Sequence, residues 1–309
     1  MVVAGQRADV VQTPCRSARW LPEHLTYPAP PRQHRGAAAA SEGRRTGQVI
    51  RGGTDVSNDH SEVSRILERE VPAAGGPEPL RSFERSLERS RRSLHRSDRP
   101  KEFTLAGREW ALLDEVFAPV YSPSTEAAMR FLGLAGDEEA PRTGSLLEIG
   151  CGSGVVAVLA ALAGHSPVVA ADINPRAVEN TTINADRHGA RVRAVHSDLF
   201  SALVDERFDT VFWSSNYVRA PGDYLYRSLH EYAYVDPGYR AHRRYLCQAP
   251  EHLTPGGTAL LHFSSRGDLD ALHRIAGECG RALRTVRSTT VLEGEYGDDL
   301  VEHLLLEIR

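Results

Sequence analysis

The stretch Leu146-Leu-Glu-Ile-Gly-Cys-Gly-Ser-Gly154 is the strongest indication of the fold in this chain. An apolar strand runs into a glycine-rich turn, and an apolar helix from Val155 to Ala163 follows at once. Because glycine has no side chain, the turn can be tight and its backbone can approach a ligand closely. The free N–H groups at the start of the helix point to the same place. The stretch therefore predicts a strand, a turn and a helix with a ligand bound at the turn.

A second apolar run, Pro167-Val-Val-Ala-Ala171, ends in Asp172, eighteen residues after Gly154. An acidic side chain at the tip of the second strand of a βαβ unit can accept hydrogen bonds from both hydroxyls of a ribose. A glycine-rich turn that served only helix packing would leave Asp172 unexplained. The whole unit therefore predicts a cofactor of the nucleoside type.

The spacing of the glycines narrows the class of cofactor. A dinucleotide site has the pattern G-x-G-x-x-G, whereas here Glu148 precedes Gly150, Gly152 and Gly154 at every second position. This pattern resembles motif I of the class I methyltransferases that depend on S-adenosyl-L-methionine (SAM). The resemblance implies that the turn wraps the methionine part of SAM. A nicotinamide or flavin enzyme is the alternative.

Beyond residue 143 the pattern alternates between strands and helices, which predicts a mainly parallel sheet with helices on both faces. By resemblance the fold is α/β, a Rossmann-like, mainly parallel sheet of seven strands with the last strand antiparallel. The strands are expected near residues 145–150, 167–172, 191–196, 208–214, 257–263, 283–291 and 300–308. The helices are expected near residues 153–163, 175–188, 239–252 and 267–281.

Three regions are predicted along the chain. Residues 1–76 show no sustained periodicity and cannot bury enough apolar surface to offset their chain entropy, which predicts a disordered N-terminal tail; an arm that binds RNA is the alternative. Residues 77–140 form an N-terminal extension, an amphipathic helix over 79–96 and a hairpin. Residues 141–309 form the SAM-dependent methyltransferase domain.

Composition limits the partners. The content of hydrophobic residues is 41% and that of charged residues 25%, as in ordinary soluble proteins. Residues 111–309 carry 18 basic and 27 acidic side chains, a balance that disfavours a nucleic-acid substrate. The absence of a long apolar run or signal-peptide core predicts a cytoplasmic protein without a membrane partner. The four cysteines are widely and irregularly spaced, so neither a disulfide framework nor a zinc site is expected.

The cofactor contacts are expected at the carboxyl ends of the strands. By resemblance, Asp198 accepts a hydrogen bond from the adenine amino group and Leu199 packs on the adenine ring, although Asp198 could instead cap a turn. The residues expected to bind SAM are Glu148, Gly150, Gly152, Gly154, Asp172, Ile173, Asp198, Leu199 and Ser214. No repeated spacing of His, Asp or Glu demands a metal.

The segment Phe208-Asp-Thr-Val-Phe-Trp-Ser-Ser-Asn-Tyr-Val218 resembles the fourth motif of the HemK-type release-factor glutamine methyltransferases. That motif reads Asn-Pro-Pro-Tyr, and here Ser214, Ser215, Asn216 and Tyr217 occupy its four positions. A freely rotating serine hydroxyl cannot reproduce the paired acceptance of an asparagine carbonyl and a rigid proline backbone. We therefore expect a small-molecule acceptor, methylated on N or O. A HemK-like protein glutamine methyltransferase and a SAM-binding protein without activity are the alternatives.

The segment from Tyr217 to Tyr239 contains six of the ten tyrosines. A long loop in a compact domain is usually functional, and rigid rings with polar tips suit a small aromatic or amine acceptor. A lid packed on the helix over 79–96 is the alternative. The predicted catalytic residues are Tyr217, Asn216 and His230, which is chosen as a base because an ordinary imidazole titrates near neutrality; a plain surface histidine is its alternative.

Overall fold

The computed structural model describes residues 83–135, 143–293 and 299–309. The predicted tail, residues 1–76, lies outside these described residues. Within them, no helix is long and apolar enough to cross a membrane.

A helix and a hairpin precede the main sheet. In chain order the elements are α1 (Phe83–His95), β1 (Glu102–Leu105), β2 (Arg108–Ala111), a 3₁₀ helix (Pro119–Tyr121) and α2 (Ser124–Phe131). β1 and β2 pair antiparallel, and Trp110 of β2 is fully buried. The side-chain amides of Asn180 and Asn184 donate to the carbonyl of Ala111 at 2.8 and 3.0 Å. These bonds attach the hairpin to the main domain.

The main domain alternates strands and helices, as the sequence predicts. Its elements are β3 (Leu146–Ile149), α3 (Val155–Leu162), β4 (Val168–Asp172), α4 (Pro175–His188), β5 (Val192–His196), β6 (Phe208–Ser214), β7 (Arg219–Ala220), β8 (Asp236–Pro237), α5 (Arg240–Gln248), β9 (Leu253–Ser264), α6 (Leu269–Glu278), β10 (Leu283–Glu293) and β11 (Asp299–Ile308). β7 and β8 form a small pair of their own.

The other seven strands form one sheet in the order β10-β11-β9-β6-β3-β4-β5. Strands β9, β6, β3, β4 and β5 run parallel, and β11 is antiparallel to both of its neighbours. The chain order reverses between β3 and β6, and ligands of such sheets bind at this switch point, at the carboxyl ends of the strands. The predicted α/β Rossmann-like fold, with its seven strands and its N-terminal extension, is confirmed.

Local sequence explains why the second helix of the main domain begins and ends where it does. The side chain of Asn174 accepts from the N–H of Arg176 at 2.9 Å, and Pro175 occupies the first helical turn. Both features favour helix initiation. Gly189 ends α4 in the left-handed conformation, with φ of 62°. α4 therefore covers the sheet within the limits that the sequence predicts.

Two layers of apolar side chains sandwich the sheet. One contains Leu246, Leu272 and Phe263, and it packs α5 and α6 against one face. The other contains Trp110, Val158 and Phe212, and it packs α2, α3 and the hairpin against the opposite face. The strands are therefore covered on both sides, as parallel sheets require.

Two segments differ from the prediction. Strand β9 begins at Leu253, several residues earlier than expected, because Leu253 already pairs with Phe208 of β6, and pairing resumes at Thr258 after a register shift. The segment between Tyr217 and Tyr239 is not structureless, since it contains β7, β8 and a 3₁₀ helix over Leu229–Ala233.

The expectation that the chain has no disulfide is also wrong. Cys247 of α5 and Cys279, which follows α6, form a disulfide with their Cα atoms 5.3 Å apart. Packing of α5 beside α6 brings together two cysteines that are separated by 32 positions, and the spacing in the sequence does not reveal this.

Candidate functional site

A cavity of about 1120 Å³ lies at the carboxyl ends of the parallel strands. Most of the predicted site residues line it, although they come from four separate strand ends. Those on the cavity wall are Glu148, Gly150, Gly152, Asp172, Ile173, Asp198, Leu199, Ser214, Asn216, Tyr217 and His230.

The turn after β3 presents bare backbone to the cavity. Gly150 and Gly152 have φ of 69° and 54°, a region that other residues rarely adopt. A Cβ atom built on Gly152 meets no atom within 4 Å in the described part of the chain, so only open space faces this position. One built on Gly150 would lie 3.1 Å from Nε1 of Trp213. The turn therefore exposes its backbone to the cavity at Gly152, while Trp213 closes the space beside Gly150.

The structure corrects the role of Gly154. This residue does not line the cavity, because it caps α3 with φ of 81° and faces α4 instead. A Cβ atom there would lie 2.8 Å from Thr181 Oγ1 and 2.9 Å from Thr181 Cα. Gly154 is therefore needed for close packing of α3 against α4, and its contact with a cofactor stays a prediction.

Asp172 lies at the tip of β4 and is joined to the glycine turn. Its Oδ2 accepts from the N–H of Gly152 at 2.9 Å, and its Oδ1 accepts from the N–H of Asn174 at 2.8 Å. Burial raises the pKa of Asp172, while these two hydrogen bonds act in the opposite direction. A carboxylate has about four acceptor sites, so both oxygens can still accept from the hydroxyls of a ribose.

Glu148 lines the cavity and also connects β3 to the start of α3. Its side chain is buried, and Oε2 accepts from the N–H of Ala157 at 2.9 Å, which satisfies a free donor in the first turn of α3. Burial raises the pKa of Glu148 well above its usual range. The residue therefore ties β3 to α3 and supports the turn from behind.

Asp198 and Leu199, the residues that the sequence predicts to contact the adenine, lie just after β5. Leu199 is buried and has φ of 52°, a strained conformation for leucine. Asp198 is exposed, and Arg244 Nη1 lies 2.9 and 2.7 Å from its two oxygens. Asp198 is therefore held by an arginine that lies 46 positions away, which the sequence did not indicate.

Hydrogen bonds fix the three residues that replace Asn-Pro-Pro. Ser214 Oγ lies 2.9 Å from Nδ1 of His262. Ser215 donates to the carbonyl of His262 through its Oγ at 2.9 Å and its N–H at 3.2 Å. The amide of Asn216 donates to the carbonyls of Tyr232 and Val235, both at 2.8 Å. The expectation of a freely rotating serine is wrong, because each of the three side chains has a fixed partner.

Asn216 is left with one unsatisfied acceptor. Both of these hydrogen bonds use Nδ2, and Oδ1 is buried without a hydrogen-bond partner among the described residues. A buried polar atom without a partner costs free energy. Asn216 lines the cavity, and this buried oxygen is the acceptor of its side chain that no described residue uses.

Tyr217 is positioned by its ring and its backbone. The ring packs edge-on against Phe263 and His303, each with a centroid distance of 6.3 Å. The carbonyl accepts from Tyr239 Oη at 2.6 Å. Burial raises the pKa of Tyr217 to about 12, so its hydroxyl stays protonated at neutral pH.

The prediction of His230 as a base that titrates near neutrality is wrong. The residue lines the cavity but is 2% exposed, and its Nδ1 pairs with Ser90 Oγ of α1 at 2.8 Å. Burial lowers the pKa of His230 to about 4, with smaller contributions from Arg99 and His95. It is neither a surface histidine nor a group with a pKa matched to neutral pH, and its contacts hold α1 in place.

The tyrosines between Tyr217 and Tyr239 mostly bind one another and the backbone. Tyr226 stacks on Tyr232 with ring centroids 3.6 Å apart and donates to the carbonyl of Val235. Tyr224 donates to Glu231 at 2.9 Å. Helix α1 packs on this segment through Leu87, and Ser86 donates to the carbonyl of Tyr234. The alternative of a lid packed on the first helix describes this segment better than the expected aromatic binding surface.

Sequence reasoning missed a buried chain of polar residues behind Ser214. His262 Nε2 lies 2.9 Å from His303 Nδ1, and His303 Nε2 lies 2.8 Å from Glu293 Oε1. Glu293 Oε2 pairs with Arg266 at 3.0 Å. The signal in the sequence was one histidine in each of two apolar strands, β9 and β11. Elsewhere in the site, no group of three or more His, Cys, Asp or Glu side chains of the described residues could hold a metal ion.

Comparison with known proteins identifies the family of this chain. The family model of the methyltransferase small domain matches residues 130–216. A release factor glutamine methyltransferase of Geobacter sulfurreducens is 35% identical over 173 residues, which are 51% of this chain and 58% of that protein. A release factor glutamine methyltransferase of Bordetella pertussis is 30% identical over 212 residues, which are 58% of this chain and 77% of that protein. The chain therefore spans less than two thirds of the first of these relatives.

A solved structure, the SAM-dependent methyltransferase from Agrobacterium tumefaciens, aligns with a TM-score of 0.44 and 19% identity over 67% of this chain and 68% of that chain. The strand order, the antiparallel β11 and the glycine turn define a class I SAM-dependent methyltransferase fold. Within that class, the chain belongs to the family of the release factor glutamine methyltransferases.

This membership corrects the expected acceptor. We predicted a small molecule because Asn-Pro-Pro is absent, but the relatives are named for glutamine methylation of a protein. The prediction was wrong because it considered only which residue types occupy the three positions, and not how the fold holds them. The same positions are fixed here by hydrogen bonds to His262, Tyr232 and Val235.

Proposed function

We propose that this chain transfers the methyl group of SAM to the side-chain amide nitrogen of a glutamine in a protein, with a release factor as the acceptor. The observation that carries this proposal is that Asn216, whose buried Oδ1 has no hydrogen-bond partner among the described residues, lines the cavity. An amide nitrogen carries two N–H donors and has almost no basicity, so its site must supply acceptors. The family to which the chain belongs supports the protein acceptor.

The proposed cofactor site is made by the glycine turn and Asp172. The bare backbone of Gly150 and Gly152 would accommodate the methionine part, and the carboxylate of Asp172 would accept from the ribose hydroxyls. Asp198 and Leu199 would border the adenine. When bound, SAM supplies a methyl group that is already activated by a positive sulfur.

The remaining work of the protein is to hold the acceptor. Asn216 and Ser214 both line the cavity, and their side-chain oxygens would take the two N–H groups of the glutamine amide. Holding both N–H groups fixes the plane of the amide and directs the nitrogen at the methyl group, which lowers the entropic part of the barrier. Transfer breaks the S–CH₃ bond, forms an N–CH₃ bond in place of one N–H bond and leaves SAH, and the proton is released to bulk solvent when the site opens.

Helix α1 would exclude water from this reaction. It covers the tyrosine-rich segment through Leu87, Ser86 and Ser90, and Ser86 also borders the cavity. Exclusion of water strengthens the hydrogen bonds inside a site. The cytoplasmic location inferred from the sequence stays a prediction.

The test is transfer of label from methyl-tritiated SAM to a purified release factor. The matched control is the same release factor with its acceptor glutamine replaced by glutamate, which keeps the size of the side chain but removes the N–H groups. We expect label only in the unaltered factor. Label in neither, with intact binding of S-adenosyl-L-homocysteine (SAH) by calorimetry, would favour a SAM-binding protein without this activity.

A further inference from the structure

The polar chain behind Ser214 is buried. His262 and His303 are both 0% exposed, and Glu293 and Arg266 are 6% and 4% exposed. Their contacts run in one line from Ser214 Oγ to His262, His303, Glu293 and Arg266, at 2.9, 2.9, 2.8 and 3.0 Å. Of these residues, Ser214 and Glu293 also line the cavity. The chain therefore connects the cavity wall to a buried ion pair.

The ion pair sets the direction of every hydrogen bond in this line. Glu293 is held as a carboxylate by Arg266, and its pKa is lowered by His303 and Arg266 against the effect of burial. A carboxylate only accepts, so His303 must donate through Nε2. A neutral imidazole that donates through one nitrogen accepts through the other, so His303 Nδ1 accepts from His262 Nε2.

The direction of the hydrogen bond between His262 and Ser214 follows in the same way. Since His262 donates through Nε2, its Nδ1 accepts, and the only donor facing it is the hydroxyl of Ser214. Burial lowers the pKa of His262 to about 3, so this ring stays neutral and keeps one proton. Arg266 pairs with Glu293 at 3.0 Å and with Asp299 at 3.4 Å, and Arg89 also acts on Glu293, so two arginines balance the two carboxylates without a charge on His303.

We propose that the chain His262–His303–Glu293 is a positioning device that makes Ser214 an obligatory acceptor: its only proton points away from the cavity, and its lone pairs face the acceptor nitrogen. The inference rests on the proposed function, since it explains how a serine can stand where the family has an asparagine carbonyl. Ser214 then takes one amide N–H and Asn216 Oδ1 takes the other. The site would select acceptor nitrogens that carry hydrogen over atoms that offer only lone pairs.

The positions of the protons on the imidazole rings of His262 and His303 test this hydrogen-bond arrangement directly. In protein with ¹⁵N-labelled histidine, long-range ¹H–¹⁵N correlation spectra at neutral pH distinguish protonated from bare ring nitrogens. We expect His262 and His303 each to carry one proton, on Nε2. A proton on Nδ1 of His262, or two protons on His303, would overturn the inference. This readout uses the unaltered protein and does not depend on any activity.

Two substitutions test the consequence for catalysis. Ser214→Ala removes the acceptor, and Glu293→Gln permits the chain to reverse, because an amide can donate as well as accept. Each should lower kcat for the glutamine acceptor by about tenfold, the loss of one hydrogen bond, and calorimetry with SAH separates this loss from any weakening of cofactor binding. Glu302→Gln, an exposed neighbour of His303 on β11, is the matched control and should leave kcat unchanged.

The double variant Ser214→Ala/Glu293→Gln separates positioning from a general structural role. If Glu293 acts only through Ser214, the double variant is no slower than Ser214→Ala alone. If the losses of kcat in the two single variants multiply in the double variant, the inference is contradicted. A glutamine that is methylated equally well by Ser214→Ala would overturn the inference and leave the proposed function standing. If the spectra show the predicted tautomers but no glutamine is methylated, the proposed function is refuted and the inferred orientation of Ser214 is not.

Discussion

The carboxylate of Asp172 accepts a hydrogen bond from the backbone N–H of Gly152 at 2.9 Å, so the tip of β4 and the glycine turn after β3 form one unit. The other carboxylate oxygen accepts from the N–H of Asn174, which begins the next helix. A residue expected from the sequence to contact a ribose therefore also holds the backbone that faces the rest of the cofactor.

Replacing Asp172 should weaken cofactor binding. We expect Asp172→Ala to lower the affinity for SAH by about 10- to 100-fold, the loss of hydrogen bonds to a charged acceptor. Asp172→Asn should also weaken binding, because its NH₂ group must face one of the two backbone donors. Calorimetry with SAH measures both, and Asp186→Asn, an exposed position on α4, is the control. Unaltered affinity in Asp172→Ala would exclude the ribose contact.

The two glycines of the turn should respond differently to alanine. Gly154→Ala places a Cβ atom 2.8 Å from the Thr181 side chain and should cost about 2–4 kcal/mol of unfolding free energy, from strain and overpacking. Gly152→Ala meets open space, so it should cost about 1–2 kcal/mol from its positive φ alone, yet weaken SAH binding more strongly. Urea denaturation and calorimetry check the two effects. A reversed order of stabilities would show that the packing of α3 on α4 is not the constraint.

His230 should affect stability at acid pH and not the pH dependence of turnover. Its folded pKa of about 4 lies below the unfolded value of 6.5, so its stabilising contribution is present above pH 6.5 and is lost as pH falls toward 4. His230→Asn should make the fall of stability shallower there, by up to about 1.4 kcal/mol per pH unit. Denaturation at several pH values measures this slope. His273→Asn, exposed on α6, should leave it unchanged.

Tyr217 should act through its ring. The pKa of about 12 keeps the hydroxyl protonated, so Tyr217→Phe should leave the shape of the pH–rate profile unchanged and reduce kcat by no more than a few fold. Tyr217→Ala removes the packing on Phe263 and His303 and should lower kcat by more than tenfold. Steady-state kinetics on the glutamine acceptor distinguishes the two variants. An equal loss in both would assign the function to the hydroxyl.

Local information explains what the sequence predicted well. The glycine spacing after β3 and the acid at the end of β4 depend on backbone geometry within one βαβ unit, and the turn follows the prediction at Gly150, Gly152 and Asp172. The strands of the sheet also follow the prediction, because fully buried strands have continuous apolar runs.

The errors arise where distant segments meet. His230 receives its environment from α1, 140 positions earlier in the sequence, and so loses its ordinary pKa. His262 and His303 approach one another only because β11 pairs with β9. Ser214 looked unsuitable because a residue type alone does not reveal which partner fixes its hydroxyl. Such contacts depend on tertiary pairing, which a periodicity in one segment does not encode.

The most direct test of the account is tandem mass spectrometry of a release factor after incubation with this protein and SAM. We predict one added methyl group on the side-chain nitrogen of a single glutamine, absent when SAM is omitted and strongly reduced with Ser214→Ala. An unmodified glutamine, under conditions in which the Geobacter sulfurreducens relative modifies the same factor and this protein binds SAH, would contradict it.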